Sequence, residues 1–189
     1  MSNQRILPYI EGNRVLLKLA EESDIPEIID FYLRNKEHLA PFEPVRSEAF
    51  YTKEYWKLII DKSQEDFLQD RSLRMFLFEK SNPTKVIGTV NFNNFVRGVF
   101  QACHLGYSLD EYAQGKGYMT EAIQLGIDYI FHELNLHRIM ANYMPHNRKS
   151  GQVLKRLGFV IEGYARDYLM INGKWEDHIL TSLTNHRWE

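Results

Sequence analysis

Two short segments of the chain carry residue types and spacings that could do chemistry. The first is Gln114-Gly115-Lys116-Gly117-Tyr118-Met119-Thr120, set between an apolar alternating stretch and an amphipathic run that continues to about Leu134. That order reads strand, turn, glycine loop, helix. A glycine loop that opens a helix points several backbone N–H groups at one spot, and the helix dipole adds partial positive charge there. Such a place suits phosphate, and the segment is read as the seat of a pyrophosphate. It is not a P-loop, because G-x-x-x-x-G-K-[ST] is absent. Thr120 stands where the dinucleotide fingerprint needs its third glycine, and the preceding strand ends an antiparallel meander rather than a parallel βαβ unit. A bare Gly-x-Gly is also ordinary turn chemistry, so both readings stay open on this segment alone.

The second segment is Asn147-Arg148-Lys149-Ser150. Asparagine before an amphipathic run is a helix N-cap, and Ser150, three residues on, lies on the same helix face. Val153, Leu154 and Leu157 share a face, and Gly158 closes the helix as its C′ residue. Other reactive side chains read more plainly. Cys103 lies in a strand without a paired base, the setting of a small buried residue. Seven histidines are spread without H-E-x-x-H spacing. His104, in the strand before the glycine loop, faces either the acceptor or the structure; His132 and His137 read as surface or packing residues. No metal site is expected.

The elements that must position these segments follow from patterning. Arg14–Leu19 reads as a first strand. Asp24 and Glu27 have capping-box spacing, and Ile25, Ile28, Ile29, Tyr32 and Leu33 form one helical face. Pro41-Phe42-Glu43-Pro44 breaks that helix. A second helix spans about 47–69. Strands at 73–79, 86–96 and 100–109, separated by turns at 81–84 and 97–98, form the meander. After the glycine loop and its helix come a strand over 137–143, the Asn147 helix, and strands over 159–171 and 175–183 joined by Asn172-Gly173, a strong hairpin signal. The order is β-α-α-β-β-β-α-β-α-β-β.

The whole chain bounds the class. Its 189 residues suit one domain, 1–189, with its own core. A hydrophobic content of 44% with 25% charged residues is that of a soluble globular protein. A net charge of −2 advertises neither DNA nor an anionic membrane. The 13% aromatic content is not interleaved with basic residues as in an RNA-binding signature. One cysteine rules out an intramolecular disulfide framework and fits a reducing compartment. Met1-Ser2-Asn3-Gln4-Arg5 leads to no apolar run of signal-peptide length, and nothing approaches the roughly 20 apolar residues of a membrane span. A cytoplasmic protein is expected.

Taken together, the two segments resemble the signatures of the GCN5-related N-acetyltransferases. Gln114, Gly117 and Met119 occupy that family's Arg/Gln-x-x-Gly-x-Gly/Ala pattern. Met119 stands where the pattern has a small residue, a departure that bears on the fit beside the phosphates. Asn147, Ser150, Leu157-Gly158-Phe159 and Glu162-Gly163 are similar to the second signature, Asn-x-x-Ser…Leu-Gly-Phe…Glu-Gly. Pro41–Pro44, Asn94–Gly98, His137–Asn147 and Asp167-Tyr168-Leu169 resemble the RimJ/RimL branch, which acetylates N-terminal amines of ribosomal proteins. The resemblance covers nearly the whole chain.

It implies a mixed α/β (α+β) fold: a mostly antiparallel twisted sheet of about seven strands, flanked by helices and splayed at an acetyl-CoA site. It implies that Gln114, Gly115, Lys116, Gly117, Tyr118, Met119 and Thr120 hold the pyrophosphate. Leu105, Gly106 and Tyr107 would serve the pantetheine arm and thioester carbonyl, and Asn147 is either a plain cap or a ligand of that arm. By the same resemblance Ser150 would protonate the departing thiolate, with Tyr143 and Tyr164 as alternatives. The base would be Glu43, in a loop where the family places acceptor-binding segments, or Asp167, near the branch's proposed base. The implied reaction is direct transfer, in a ternary complex, to the N-terminal amine of a small-subunit ribosomal protein, alanine first. A small-amine acetyltransferase and a ribosome-assembly factor with little catalysis are the alternatives.

Overall fold

A computed structural model describes residues 6–189; Met1–Arg5, within the expected domain span, lie outside the described residues. The strands are β1 (Tyr9–Glu11), β2 (Val15–Lys18), β3 (Leu73–Glu79), β4 (Asn82–Val96), β5 (Ala102–Leu109), β6 (Arg138–Tyr143), β7 (Val160–Ile171) and β8 (Lys174–Thr184). The helices are α1 (Ile25–Arg34), α2 (Lys36–Leu39), α3 (Lys53–Leu68), α4 (Tyr118–Asp128) and α5 (Arg148–Arg156). The strands form one sheet in the order β1-β2-β3-β4-β5-β6-β8-β7. Every neighbouring pair is antiparallel except β5–β6.

Strand alternation gives the sheet two apolar faces. On one, Leu73, Met75, Leu77, Val90, Phe92 and Leu105 pack with Met119, Ala122, Ile123 and Ile127 of α4. On the other, Leu16, Phe76, Phe78 and Val86 pack with Ile25, Ile28 and Phe31 of α1 and with Trp56 and Ile60 of α3. Each helix thus covers the strands beside it. Among the described residues no helix is long and apolar enough to cross a membrane.

Several local expectations shift. The sheet has eight strands, because Tyr9–Glu11 is too short to show alternation in sequence. The capping box lies on Glu21 and Asp24, where the Glu21 N–H donates to Asp24 Oδ2 at 2.9 Å. Glu27 instead accepts from the Val86 N–H at 3.2 Å and from Arg34. The second helix is shorter than 47–69: a 3₁₀ turn over Glu48–Tyr51 precedes α3, which Thr52 caps. The helix after the glycine loop turns to π geometry over Tyr129–Glu133. Asn172-Gly173 makes the β7–β8 hairpin, with φ of 47° and 77°, as a two-residue primed turn requires.

The feature that makes a site is the end of the one parallel pairing. β5 and β6 run together from Ala102↔Arg138 to Leu105↔Ala141 and then part. Beyond that point Gly106–Leu109 stay paired with β4, while Asn142 and Tyr143 stay paired with β8. Among the described residues, the β5 backbone from Gly106 onward has no strand on its β6 side. Unpaired backbone groups of this kind take partners from a ligand or water.

Candidate active site

The glycine loop meets this gap because its base is fixed to α1. Asp110, 3% exposed, accepts from Arg34 Nε at 2.9 Å, from Asn35 Nδ2 at 3.1 Å and from the Tyr112 N–H at 2.9 Å. The Asn35 side chain accepts in turn from the Glu111 N–H at 3.0 Å. Burial alone would raise the Asp110 pKa, but the Arg34, Asn35 and Tyr112 bonds outweigh it and hold the carboxyl below its usual range.

Gly117 is the N-cap of α4 with φ of 80°, a left-handed conformation that costs an L side chain roughly 1–2 kcal/mol. The N–H groups of Tyr118, Met119 and Thr120 therefore open the helix without intrahelical acceptors, behind a cap that adds no side chain. The loop's outer side is tied to the sheet. Arg14 donates from Nη1 to the Lys116 carbonyl at 2.8 Å and from Nε to Glu121 at 3.0 Å. Its backbone N–H also donates to Glu121, at 2.8 Å. Burial would raise the Glu121 pKa, yet these Arg14 bonds leave it lowered. The Tyr118 hydroxyl donates to Glu79 at 2.6 Å.

Met119 bears on the departure noted above. Its side chain is 5% exposed and belongs to the core beneath α4. It faces away from the loop's open side, so its bulk is absorbed by the core and not by the phosphate cradle.

Gln114 links three elements. Its Nε2 lies 2.9 Å from His38 Nε2 in α2, and its Oε1 accepts from Lys149 Nζ of α5 at 2.6 Å. Asn147 caps α5, its Oδ1 accepting from the Ser150 N–H at 3.2 Å. Nδ2 makes no bond among the described residues, so capping leaves the amide donor free for a ligand. The two readings of Asn147 are compatible without any sharing of the cap.

Ser150 is held by Tyr107. The Tyr107 hydroxyl lies 2.6 Å from Ser150 Oγ and 3.2 Å from the Ser150 carbonyl. Burial raises the phenol to about 12, with the Ser150 bond opposing. Tyr107 thus stays protonated at neutral pH; its one proton reaches the Ser150 carbonyl, and either hydroxyl can donate in the 2.6 Å contact with Ser150 Oγ. Gly106, next to Tyr107 on the other sheet face, has open space where a Cβ would stand. Relief of crowding is therefore not the reason for a glycine here.

The other candidates lie apart from this group. Glu43 is paired with Arg46 at 3.0 Å, and its carbonyl accepts from the Asn172 N–H at 2.9 Å. It lines a cavity of about 180 Å³ with Tyr32, Lys36, Arg46 and Asn172. Phe42 of the same loop lies 6.5 Å from the His146 ring, centroid to centroid. The 40–46 loop therefore spans from the start of α5 to the hairpin tip. Asp167 is exposed in a bulge of β7, with φ of 46°, its N–H donating to Asp177 at 2.9 Å. The hydroxyl of Tyr164 donates to Asp177 at 2.5 Å on the same exposed strand. Tyr143 packs on α5: a Cβ at Gly151 would meet its ring at 2.8 Å. Sequence patterning missed Arg14, His38, Lys149 and the hydroxyl of Tyr107, all of which act across long chain separations.

A glycine-capped helix facing a parted pair of parallel strands, with a serine held at the gap, defines an acyl-group transferase. Residues 14–160 match the Acetyltransferase (GNAT) domain, and the chain belongs to that family of acetyltransferases. It is 44% identical to the [ribosomal protein uS5]-alanine N-acetyltransferase of Escherichia coli over 93% of this chain and 90% of that one. The ribosomal-protein-S5-alanine acetyltransferase of Vibrio fischeri is 46% identical, with a TM-score of 0.91 over 96% of this chain and 99% of that one. The RimJ protein of Mycobacterium smegmatis, in complex with CoA-disulfide, is 25% identical, with a TM-score of 0.86 over 96% of this chain and 88% of that one.

Proposed function

We propose that this acetyltransferase moves the acetyl group of acetyl-CoA to the N-terminal α-amine of a small-subunit ribosomal protein, with alanine as first residue, by direct transfer in a ternary complex. The chain is read as one domain, 1–189, working in the cytoplasm on the ribosomal protein free or within an assembling particle. The acceptor reading is supported by the 44% identity to an enzyme named for that substrate. The chemical reading is carried by the Tyr107–Ser150 bond at the point where β5 and β6 part.

The residues present fit acetyl-CoA. The free N–H groups that open α4, with Gly115 and Gly117 at positive φ, suit a pyrophosphate. The unpaired β5 edge at Gly106 and Tyr107, just past Leu105, suits an arm with amide groups, and Asn147 Nδ2 is a further donor. Acetyl-CoA supplies an acyl group activated as a thioester, with a thiolate as leaving group. The chain has three tasks: to grip the arm, to polarise the carbonyl through backbone N–H, and to return a proton to sulfur. Ser150 serves the last, its hydroxyl positioned by Tyr107.

Glu43 and Asp167 have environments better suited to the acceptor's path than to taking its proton. Glu43 is already neutralised by Arg46 in the wall of a cavity. Asp167 is exposed on the edge strand β7, beside Asp177. An α-amine has a pKa of about 7.7–8.0, so a usable fraction is neutral at pH 7.

The test is initial-rate kinetics with a synthetic peptide that begins with alanine, and the same peptide blocked at its amine. Lines that intersect as acetyl-CoA and peptide are varied, and no turnover of the blocked peptide, are expected. Equal turnover of the blocked peptide through lysine would overturn the α-amine reading, and parallel lines would overturn direct transfer.

A further inference from the structure

His104 takes no part in the grip on acetyl-CoA or in the protonation of sulfur. It is the penultimate β5 residue of the parallel pairing, opposite Met140 of β6 and Asn93 of β4. Its neighbours Cys103 and Leu105 point into the core that α4 covers. Alternation therefore puts His104 on the opposite face, together with Gly106. Gly106 has no side chain, and a Cβ there would meet nothing within 4 Å. The imidazole thus borders open space directly beside the gap between β5 and β6.

Its nitrogens are unsatisfied. Nδ1 is buried without a hydrogen-bond partner, and Nε2 has none among the described residues either. Buried polar groups are nearly always paired, and an exception calls for a partner that arrives with a ligand or water. The charged and titratable groups on the same face are occupied. Arg74 of β3 donates to Asn93 Oδ1 at 2.9 Å and reaches Asp66 of α3 at 4.0 Å. Arg138 of β6 is paired with Glu162 of β7. His178 of β8 bonds the Glu176 carbonyl at 3.0 Å and lies against Tyr168. Among the described residues no carboxylate on this face is placed to hold His104 as imidazolium, and burial lowers its pKa from the ordinary imidazole value, favouring the neutral ring.

We propose that His104 is the residue that accepts the proton of the attacking amine. The inference rests on the reading that puts the thioester at the gap beside Gly106. Face and opposite face then divide the two proton transfers. The amine lone pair forms the new N–C bond while the C–S bond breaks. The amine's proton passes to the His104 imidazole, and the sulfur takes the proton of Ser150 from the Tyr107 side. The net change is one amide and one thiol made from one amine and one thioester. His104 later yields its proton to solvent, and Ser150 regains one.

The experiment is the pH profile of kcat/KM for the wild type, His104→Gln and His104→Ala, each with calorimetric acetyl-CoA affinity. It uses whichever amine the wild type turns over fastest, peptide or polyamine. A change of acceptor would then refute the substrate reading and leave the His104 test intact. Both the amine and the imidazole must be neutral. For the wild type the logarithmic slope should approach one below the amine's range of about 7.7–8.0 and steepen toward two below the His104 pKa, which burial puts under the ordinary imidazole value of about 6.5. Both variants should lose on the order of 100-fold in kcat/KM near pH 7, bind acetyl-CoA as the wild type does, and show a slope that never exceeds one. Added imidazole should restore part of the His104→Ala rate. A retained slope of two, equal losses in acetyl-CoA affinity, or a Glu43→Gln variant that alone loses the second slope would each overturn the assignment.

Discussion

The Tyr107 hydroxyl lies 2.6 Å from Ser150 Oγ, joining β5 to α5 just past the point where β5 leaves β6. Burial keeps the phenol protonated, with a pKa of about 12, so a pair of neutral hydroxyls fixes the position of the serine oxygen. Ser150→Ala is expected to lower kcat on the order of 100-fold, the lower range for general acid catalysis, with acetyl-CoA affinity nearly unchanged. Tyr107→Phe should lower kcat less, because the serine remains but loses its orientation. Stopped-flow turnover beside calorimetric binding checks this; equal losses in kcat and affinity would make Ser150 a binding residue only.

Asn147 allows its two roles to be separated. Its Oδ1 caps α5 and its Nδ2 is free. Asn147→Asp keeps a capping oxygen and should leave stability nearly unchanged, while acetyl-CoA affinity falls. Asn147→Ala should lose both, with about 1 kcal/mol of stability from the missing cap. Thermal melts and calorimetry on the two variants decide it. Unchanged affinity in Asn147→Asp would reduce Asn147 to a cap.

These two segments show where local signals suffice. Gly115-Lys116-Gly117, the Asn147 cap, Gly158 and the Asn172-Gly173 hairpin each sit where patterning places them, because each depends on the conformation of two or three adjacent residues. Relationships set by tertiary approach left no local trace. Tyr107 and Ser150 are 43 residues apart, and Arg14 and Glu121 are 107 apart. Asp24 and Glu27 have the spacing of a capping box, but Glu27 is drawn to Val86 and Arg34, and the box forms three residues earlier. Met119 departs from the family pattern at no cost to the loop because α4 turns it into the core. In sequence alone, nothing states which way a residue at a helix start points.

Gly117 carries the cofactor end of the site. Gly117→Ala should cost roughly 1–2 kcal/mol of stability, the penalty for a side chain at left-handed φ. Gly117→Asp should in addition weaken acetyl-CoA binding: its Cβ would stand 3.3 Å from Arg14 Nη2, but its negative charge would compete with the pyrophosphate for the positive end of the helix. Retained affinity in Gly117→Asp, measured by calorimetry, would put the pyrophosphate elsewhere.

Asp110 holds the loop to α1, and its removal should show in stability before activity. Asp110→Asn removes one of three carboxylates around Arg34, which keeps Glu27 and Asp30, a loss of roughly 1.5–3 kcal/mol, the range for a hydrogen bond to a charged group. The pH dependence has a definite sign. A carboxyl whose folded pKa lies below its unfolded value of about 3.9 contributes fully above that value. The contribution is lost as pH falls through the folded pKa. Urea unfolding should show the wild type and variant well separated at pH 7 and converging below about pH 4. A constant difference down to pH 3 would mean that the charge of Asp110 is not what anchors the loop.

The most direct measurement of the central claim is mass spectrometry of the products formed when the enzyme and acetyl-CoA are added to a ribosomal extract. The expected product is a single acetyl group on the N-terminal amine of a small-subunit protein that begins with alanine, formed on the order of 100-fold more slowly by the Ser150→Ala variant. Acetylation confined to lysine side chains, or to a small amine such as a polyamine, would contradict it.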